Sequence, residues 1–153
     1  MNAGIISHTN LTDLNADPNY LHLVPNQDFT WTNTETELVW TEVAGLPVAR
    51  SYLAAATLND KIYAIGGNAA TNVYEFNGSV WTEVAGLPLT IVSFAAATLS
   101  NKIYVIGGYD GSIKSNVYEF NGSVWTEVAG LPEVRQNLVA VTLNDKIYAI
   151  GFF

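Results

Sequence analysis

The segment Val-Trp-Thr-Glu-Val-Ala-Gly-Leu-Pro occurs three times, at residues 39–47, 80–88 and 124–132. Its tryptophans, Trp40, Trp81 and Trp125, are spaced 41 and 44 residues apart. A block of seventeen residues, 72–88, recurs without change at 116–132, and Lys-Ile-Tyr-x-Ile-Gly starts at Lys61, Lys102 and Lys146. Self-similarity at a fixed period outranks any local signal, because each repeat must fold as the same unit and bury its apolar face against its neighbours. Whatever the chain builds, it builds repeatedly.

Each unit contains four short apolar or alternating runs separated by turn residues, the pattern of an antiparallel meander. In the best-preserved copy these predict strand a at Ser51–Leu58, strand b at Lys61–Ile65, strand c at Asn72–Phe76 and strand d at Val80–Ala85. Strand b ends in Gly66-Gly67, where missing side chains let the backbone turn sharply or pack closely. The c–d connection carries Asn77-Gly78, a pair that tolerates positive φ and predicts a tight primed hairpin turn. Pro88 stops strand d from continuing. No useful length of chain has a helical period, so the expected fold class is all-β. Four strands in about 40–50 residues, repeated in tandem, describe the blade of a β-propeller.

A double glycine after strand b (Gly66-Gly67, Gly107-Gly108) is followed by a tyrosine seven positions before a tryptophan (Tyr74 with Trp81, Tyr118 with Trp125). This ordered combination resembles the kelch repeat over roughly residues 28–153, although the last copy departs from it by reading Gly151-Phe152-Phe153. The resemblance implies kelch-like β-propeller blades, which are most often binding modules. It marks Trp40, Gly66, Gly67, Tyr74, Trp81, Gly107, Gly108, Tyr118 and Trp125 as structural residues. Trp81 and Trp125 are expected in the core, where truncation to Ala costs roughly 3–5 kcal/mol. A fold by itself does not assign an activity.

Counting strands gives an expectation about assembly. Residues 28–43 read as a degenerate c–d hairpin, with Trp31 in the place of Tyr74. Two full sets follow, at 51–85 and 93–129, and then an a–b pair at 136–150. That makes three blade equivalents, one split between the termini, whereas rings typically need about four to eight. Unpaired apolar strand edges invite association. Closure by homo-oligomerisation is therefore expected, with a dimer favoured and a trimer the other possibility. An open solenoid, or a piece of a longer propeller, is the alternative.

Residues 1–27 stand outside the repeat and form an expected N-terminal arm, polar and broken by Pro18 and Pro25. Within it, His8, Leu11, Leu14, Ala16 and Asp17 follow the order His-x-x-Leu-x-x-Leu-x-Ala-Asp, with Tyr20-Leu21 just after. This resembles a short element of bacteriophage tail-fibre and related virion proteins, without the histidine often found between the Asp and the Tyr. The resemblance implies docking through His8, Leu11, Leu14 and Tyr20, other virion proteins as partners, and a place in the virion. Such elements usually lie in trimeric fibres, at odds with the dimer from blade counting.

Six basic residues against fourteen acidic ones leave a net charge of −8, which repels phosphate backbones and anionic lipid. Neither nucleic acid nor a membrane surface is an expected partner. Cysteine is absent, so there is no disulfide framework or thiolate metal site. The start lacks the basic and apolar regions of a cleaved signal peptide, leaving the cytoplasm as the alternative location. His8 and His22 lie outside the repeats and lack the spacing of a helical metal site. No nucleophile elbow, Walker loop or dinucleotide fingerprint is present. Glu42, Glu83 and Glu127 recur, but on strand d, which is the outer strand in kelch-like blades. The expectation is a chain that is not an enzyme and that takes no metal or cofactor.

Divergence between otherwise matching copies gathers in the d–a and b–c loops, which leave a meander on the same side, whereas the a–b and c–d turns stay nearly constant. Loops on a rigid scaffold are where binding usually lives. Arg50, Tyr52, Asn68, Tyr109, Asp110, Lys114, Arg135 and Gln136 are the candidate binding residues, neutral drift being the competing reading. The expected function is a non-enzymatic virion structural or attachment protein, such as a fibre, collar or capsid-decorating component. Its propeller would contact protein or a host-surface glycan. A cellular kelch-type interaction adaptor is the alternative, and a sugar-active propeller enzyme the weakest.

Overall fold

The computed structural model describes residues 40–151, and all ten strands lie in one compact unit, Glu42–Phe153. The first antiparallel meander is β1 (Ala54–Leu58), β2 (Lys61–Ile65), β3 (Val73–Phe76) and β4 (Trp81–Val84), paired in that order. The second repeats it as β5 (Ala95–Leu99), β6 (Lys102–Ile106), β7 (Val117–Phe120) and β8 (Trp125–Val128). A hairpin follows, β9 (Leu138–Leu143) with β10 (Lys146–Gly151). Among the described residues there is no helix. The four-stranded sheets have the expected blade form, with strands a, c and d beginning slightly later than the sequence suggests. The expected hairpin at 28–43 falls almost wholly outside the described residues; its last positions, 40–43, are not strand.

Period-two alternation gives each sheet two apolar faces, and stacking covers them. Leu58, Tyr63, Ile65 and Val73 of the first sheet form one buried cluster with Phe94, Ile103, Val105, Tyr118 and Phe120 of the second. Tyr63 meets Phe120 edge to face, with ring centroids 5.7 Å apart. The other side of the second sheet, through Ala95, Ile106 and Val117, packs with Leu138 and with the half-buried Ala140, Ile147 and Ala149. Two series of hydrogen bonds repeat from sheet to sheet. Along the a strands, Thr98 Oγ1 donates to Thr57 O at 2.5 Å and Thr142 Oγ1 donates to Thr98 O at 2.6 Å. At the other edge, Trp81 Nε1 donates to Ala44 O at 2.8 Å and Trp125 Nε1 to Ala85 O at 2.9 Å.

Those indole bonds correct the expectation that Trp81 and Trp125 are core residues. Both are half-buried; each ring stacks on a cross-strand phenylalanine, Phe76 at 4.9 Å and Phe120 at 4.7 Å. They tie one sheet to the preceding chain instead of filling the centre, so truncation should cost less than for a fully enclosed ring. Trp40, the third copy, is 99% exposed. Tyr74 and Tyr118 are buried.

The turn chemistry is reversed relative to expectation. The primed hairpin turns are the a–b turns, where Asn59 and Asp60 both have positive φ (52° and 58°), as do Ser100-Asn101 and Asn144-Asp145. In the c–d turn only Gly78 does, at 96°. There Asn77 Oδ1 accepts from the backbone N–H of Ser79 and Val80, both at 3.0 Å. The side chain caps the turn, so the asparagine backbone has no need of the left-handed region.

The double glycines are required twice over. Gly67 has φ +86°, and a Cβ there would lie 2.7 Å from Ser51 O; Gly108 has φ +110° and would place one 2.9 Å from Val92 O. Both constraints come from the d–a loop crossing directly over strand b's end. A Gly67→Ala substitution is expected to cost about 1–3 kcal/mol. Urea unfolding at fixed protein concentration measures it, as a lower midpoint with unchanged slope.

Candidate functional site

On the side where the copies diverge, the d–a and b–c loops are bound to each other. Asn68 N donates to Ser51 O at 2.9 Å; Val92 and Tyr109 exchange backbone bonds at 2.8 and 3.0 Å; Arg135 N donates to Lys114 O at 2.9 Å. Neighbouring sheets are joined here too, through Asn137 N to Ser93 O and Gly108 N to Arg135 O, both 2.8 Å. The loops therefore form a continuous hydrogen-bonded surface.

Within that surface the candidate residues separate into two groups. Arg50 turns inward: its Nη1 donates to Gly66 O and Gly67 O at 3.2 Å, and its guanidinium lies 5.2 Å from the centre of the Tyr74 ring. The matching position in the next repeat is Ile91, which is fully buried. Arg135 repeats the Arg50 arrangement, with Nη1 donating to Gly151 O at 2.9 Å and Nη2 3.6 Å from Glu133. Asn68 is a clasp: Oδ1 accepts from Ser51 N and Oγ while Nδ2 donates to Ala49 O. Asp110 and Lys114 form an ion pair at 2.9 Å, and Asp110 also accepts from Ser112. Gln136 is half-buried. Tyr52 and Tyr109 remain as outward-facing aromatics, 72% and 41% exposed.

Tyr52 stands out for its backbone. It has φ +58°, and so do its repeat equivalents Ser93 (57°) and Asn137 (50°). Small polar residues suit this conformation and a tyrosine does not, so its presence there carries a local cost. The aligned Ser and Asn were the sequence signal for this, visible only once the backbone angle is known.

The recurring carboxylates are committed to partners. Glu75 accepts from Lys61 and Tyr63, both at 2.8 Å, and Glu119 accepts from Lys102 at 2.7 Å and Tyr104 at 3.0 Å. Glu83 and Glu127 accept from Asn72 and Asn116. The lysine and then the tyrosine hold Glu75 below its usual range, and Lys102 does the same for Glu119. Burial, followed by the Glu75 contact, pushes the Tyr63 hydroxyl up to about 12. Among the described residues Lys146 and Tyr148 have no carboxylate opposite them. On the side of the constant turns, a depression of about 570 Å³ is lined by Thr57–Lys61, Thr98 and Asn101, a feature the turn sequences did not suggest.

Among the described residues no group of three metal-ligating side chains converges, and no helix is long and apolar enough to cross a membrane. The docking candidates His8, Leu11, Leu14 and Tyr20 lie outside the described residues.

Comparison with known proteins agrees with this geometry. Residues 91–132, most of one repeat with its glycine pair and Trp125, match the Kelch motif family. The matched stretch carries a Kelch motif, and the four-stranded sheets have the form of propeller blades. A solved structure, that of YjhT, is similar with a TM-score of 0.65 and 22% identity, over 70% of this chain and 35% of that one. The chain thus spans about a third of that structure's length, and the likeness is one of fold. No curated protein matches the sequence.

Because Glu75 and Glu119 are depressed in the folded state, their contribution is full above the unfolded glutamate range near ~4.3. It is lost as pH falls through the lower folded values. Thermal melts across an acid series should fall on this limb, and a Glu75→Gln/Glu119→Gln variant should show a flatter decline.

Proposed function

We propose that this protein is a non-enzymatic binding module that recognises another protein or a glycan through its joined d–a and b–c loops. The observation that carries the reading is Tyr52. An aromatic side chain occupies a left-handed position that its repeat equivalents fill with Ser and Asn, and it is mostly exposed. Strain kept at an exposed loop residue points to function there. Tyrosine offers a large apolar body with a polar tip and little rotamer entropy to lose, which suits contact with protein or sugar. The carboxylates of both complete sheets serve lysine, tyrosine and asparagine partners, which favours binding over acid–base chemistry. Protein binding is also what a kelch repeat suggests.

A finer reading assigns the module to a virion, as a fibre, collar or capsid-decorating component. It rests on the His8-to-Leu21 element, whose order resembles that of tail-fibre proteins. A cellular kelch-type adaptor is the competing assignment, and the loop geometry serves both equally.

A photo-crosslinking amino acid at positions 52 and 109, with controls at Val80 and Val124 in the opposite turns, tests the surface in producing cells. Adducts confined to 52 and 109 are expected, with virion proteins captured under the finer reading. Adducts confined to 80 and 124 would overturn the assignment of the face. Separately, Tyr52→Asn is expected to raise stability by about 0.5–1 kcal/mol while weakening partner binding.

A further inference from the structure

The fold holds its asparagine carboxamides in two ways. Asn68 donates Nδ2 to Ala49 O, and Asn72 and Asn116 donate theirs to Glu83 and Glu127, so the amide nitrogen is tied down. In the c–d turns the oxygen is held instead. Asn77 Oδ1 accepts from the N–H of Ser79 and Val80, both at 3.0 Å, and Asn121 Oδ1 from those of Ser123 and Val124 at 2.9 and 3.0 Å. Neither Nδ2 has an acceptor among the described residues.

Each of these two asparagines precedes a glycine. The N–H of Gly78 and that of Gly122 also lack an acceptor among the described residues, since the turns close through Asn77 N to Val80 O and Asn121 N to Val124 O, both 3.4 Å. Asn77, Gly78 and Asn121 are exposed, and Gly122 is half-buried. A Cβ built on Gly78 would meet nothing within 4 Å, and one on Gly122 only Leu58 Cδ2 at 3.9 Å. A carbonyl oxygen on two N–H donors, an unbonded backbone nitrogen next along the chain and a free amide nitrogen are the electrophile, nucleophile and leaving group of an intramolecular acyl transfer.

We infer that Asn77 and Asn121 are sites of spontaneous deamidation in the folded protein, converted to aspartate and isoaspartate. The Gly78 nitrogen gives its proton to hydroxide and attacks Asn77 Cγ. The charge that gathers on Oδ1 is met by the Ser79 and Val80 N–H groups. The Cγ–Nδ2 bond breaks, Nδ2 takes a proton from water and leaves as ammonia, and a cyclic succinimide remains. Water then opens the ring at Cγ to give aspartate, or at the Asn77 backbone carbonyl to give isoaspartate. A water is consumed and an ammonia released, with no change of oxidation state. Glycine matters because a following side chain would crowd the attack, and Asn59, Asn101, Asn137 and Asn144 precede Asp60, Lys102, Leu138 and Asp145. Aspartate keeps an oxygen for the two donors, whereas isoaspartate threads the backbone through the former side chain and removes the cap. Each event adds a negative charge on the side of the constant turns, so the inference does not depend on the proposed loop surface.

Peptide mass spectrometry of the full chain, held folded at mildly alkaline pH and physiological temperature and sampled over time, tests it. The amide-to-acid mass shift, with isoaspartate distinguished by electron-transfer fragmentation, is expected at Asn77 and Asn121. Its rate there should exceed that at Asn68, whose following residue Ala69 is also small, by roughly tenfold or more. A parallel sample in urea, its sheets lost by far-UV circular dichroism, is expected to react at those two positions no faster than the folded chain. Slower conversion folded than in urea, or a smaller margin over Asn68, would overturn the inference.

Discussion

A four-stranded meander has two apolar faces and cannot cover either one alone, and everything else in this molecule follows from that shortage. Sheet-on-sheet packing is the source of the buried cluster in which Tyr63 and Phe120 meet edge to face. It sets the direction of the threonine bonds, because each hydroxyl must reach back one sheet. It also explains why identical sequences differ in exposure. Lys-Ile-Tyr-x-Ile-Gly buries Tyr63 and Ile65 in the first copy, whereas Tyr148 and Ile150 of the last copy are exposed, since burial belongs to the neighbour and not to the strand.

Strand order and spacing were legible in the sequence because the repeats align without ambiguity and each apolar run is bounded by Gly, Pro or Asn. The glycine pair was also legible, although its second reason, the d–a backbone passing within contact of Gly67, requires the fold. Turn types were less so. Asn77-Gly78 carries the letters of a two-residue hairpin, yet the carboxamide of Asn77 satisfies two backbone N–H groups and produces a wider turn. Trp81 and Trp125 were expected in the core from their place in the repeat. Their N–H groups, which need an acceptor, draw them toward the preceding chain.

The candidate site was legible as a side of the molecule and not as a set of residues. The structure brings the diverging d–a and b–c loops together on one side, but divergence has two sources. At Arg50 and Ile91 the difference reflects two ways of filling one interior position: a guanidinium capping glycine carbonyls above Tyr74, or an aliphatic side chain sealed in the core. At Tyr52, Ser93 and Asn137 it reflects a constant backbone with an outward side chain free to change. Only coordinates separate these cases, because a sequence difference does not say which way a side chain points.

The unchanged block at 72–88 and 116–132 has a consequence for how the molecule acquires its shape. Its c–d hairpins, β3–β4 and β7–β8, are interchangeable in every local respect, so neither can recognise its proper β2 or β6 partner by its own residues. Correct assignment falls to chain connectivity and to the non-identical loops, where Phe94 stands in the place of Leu53 and Ile91 in the place of Arg50. Vectorial synthesis, in which the earlier hairpin emerges before its twin, supplies an order that composition cannot. Refolding from denaturant lacks that order, so two hairpins of one sequence face β2 and β6 at the same time.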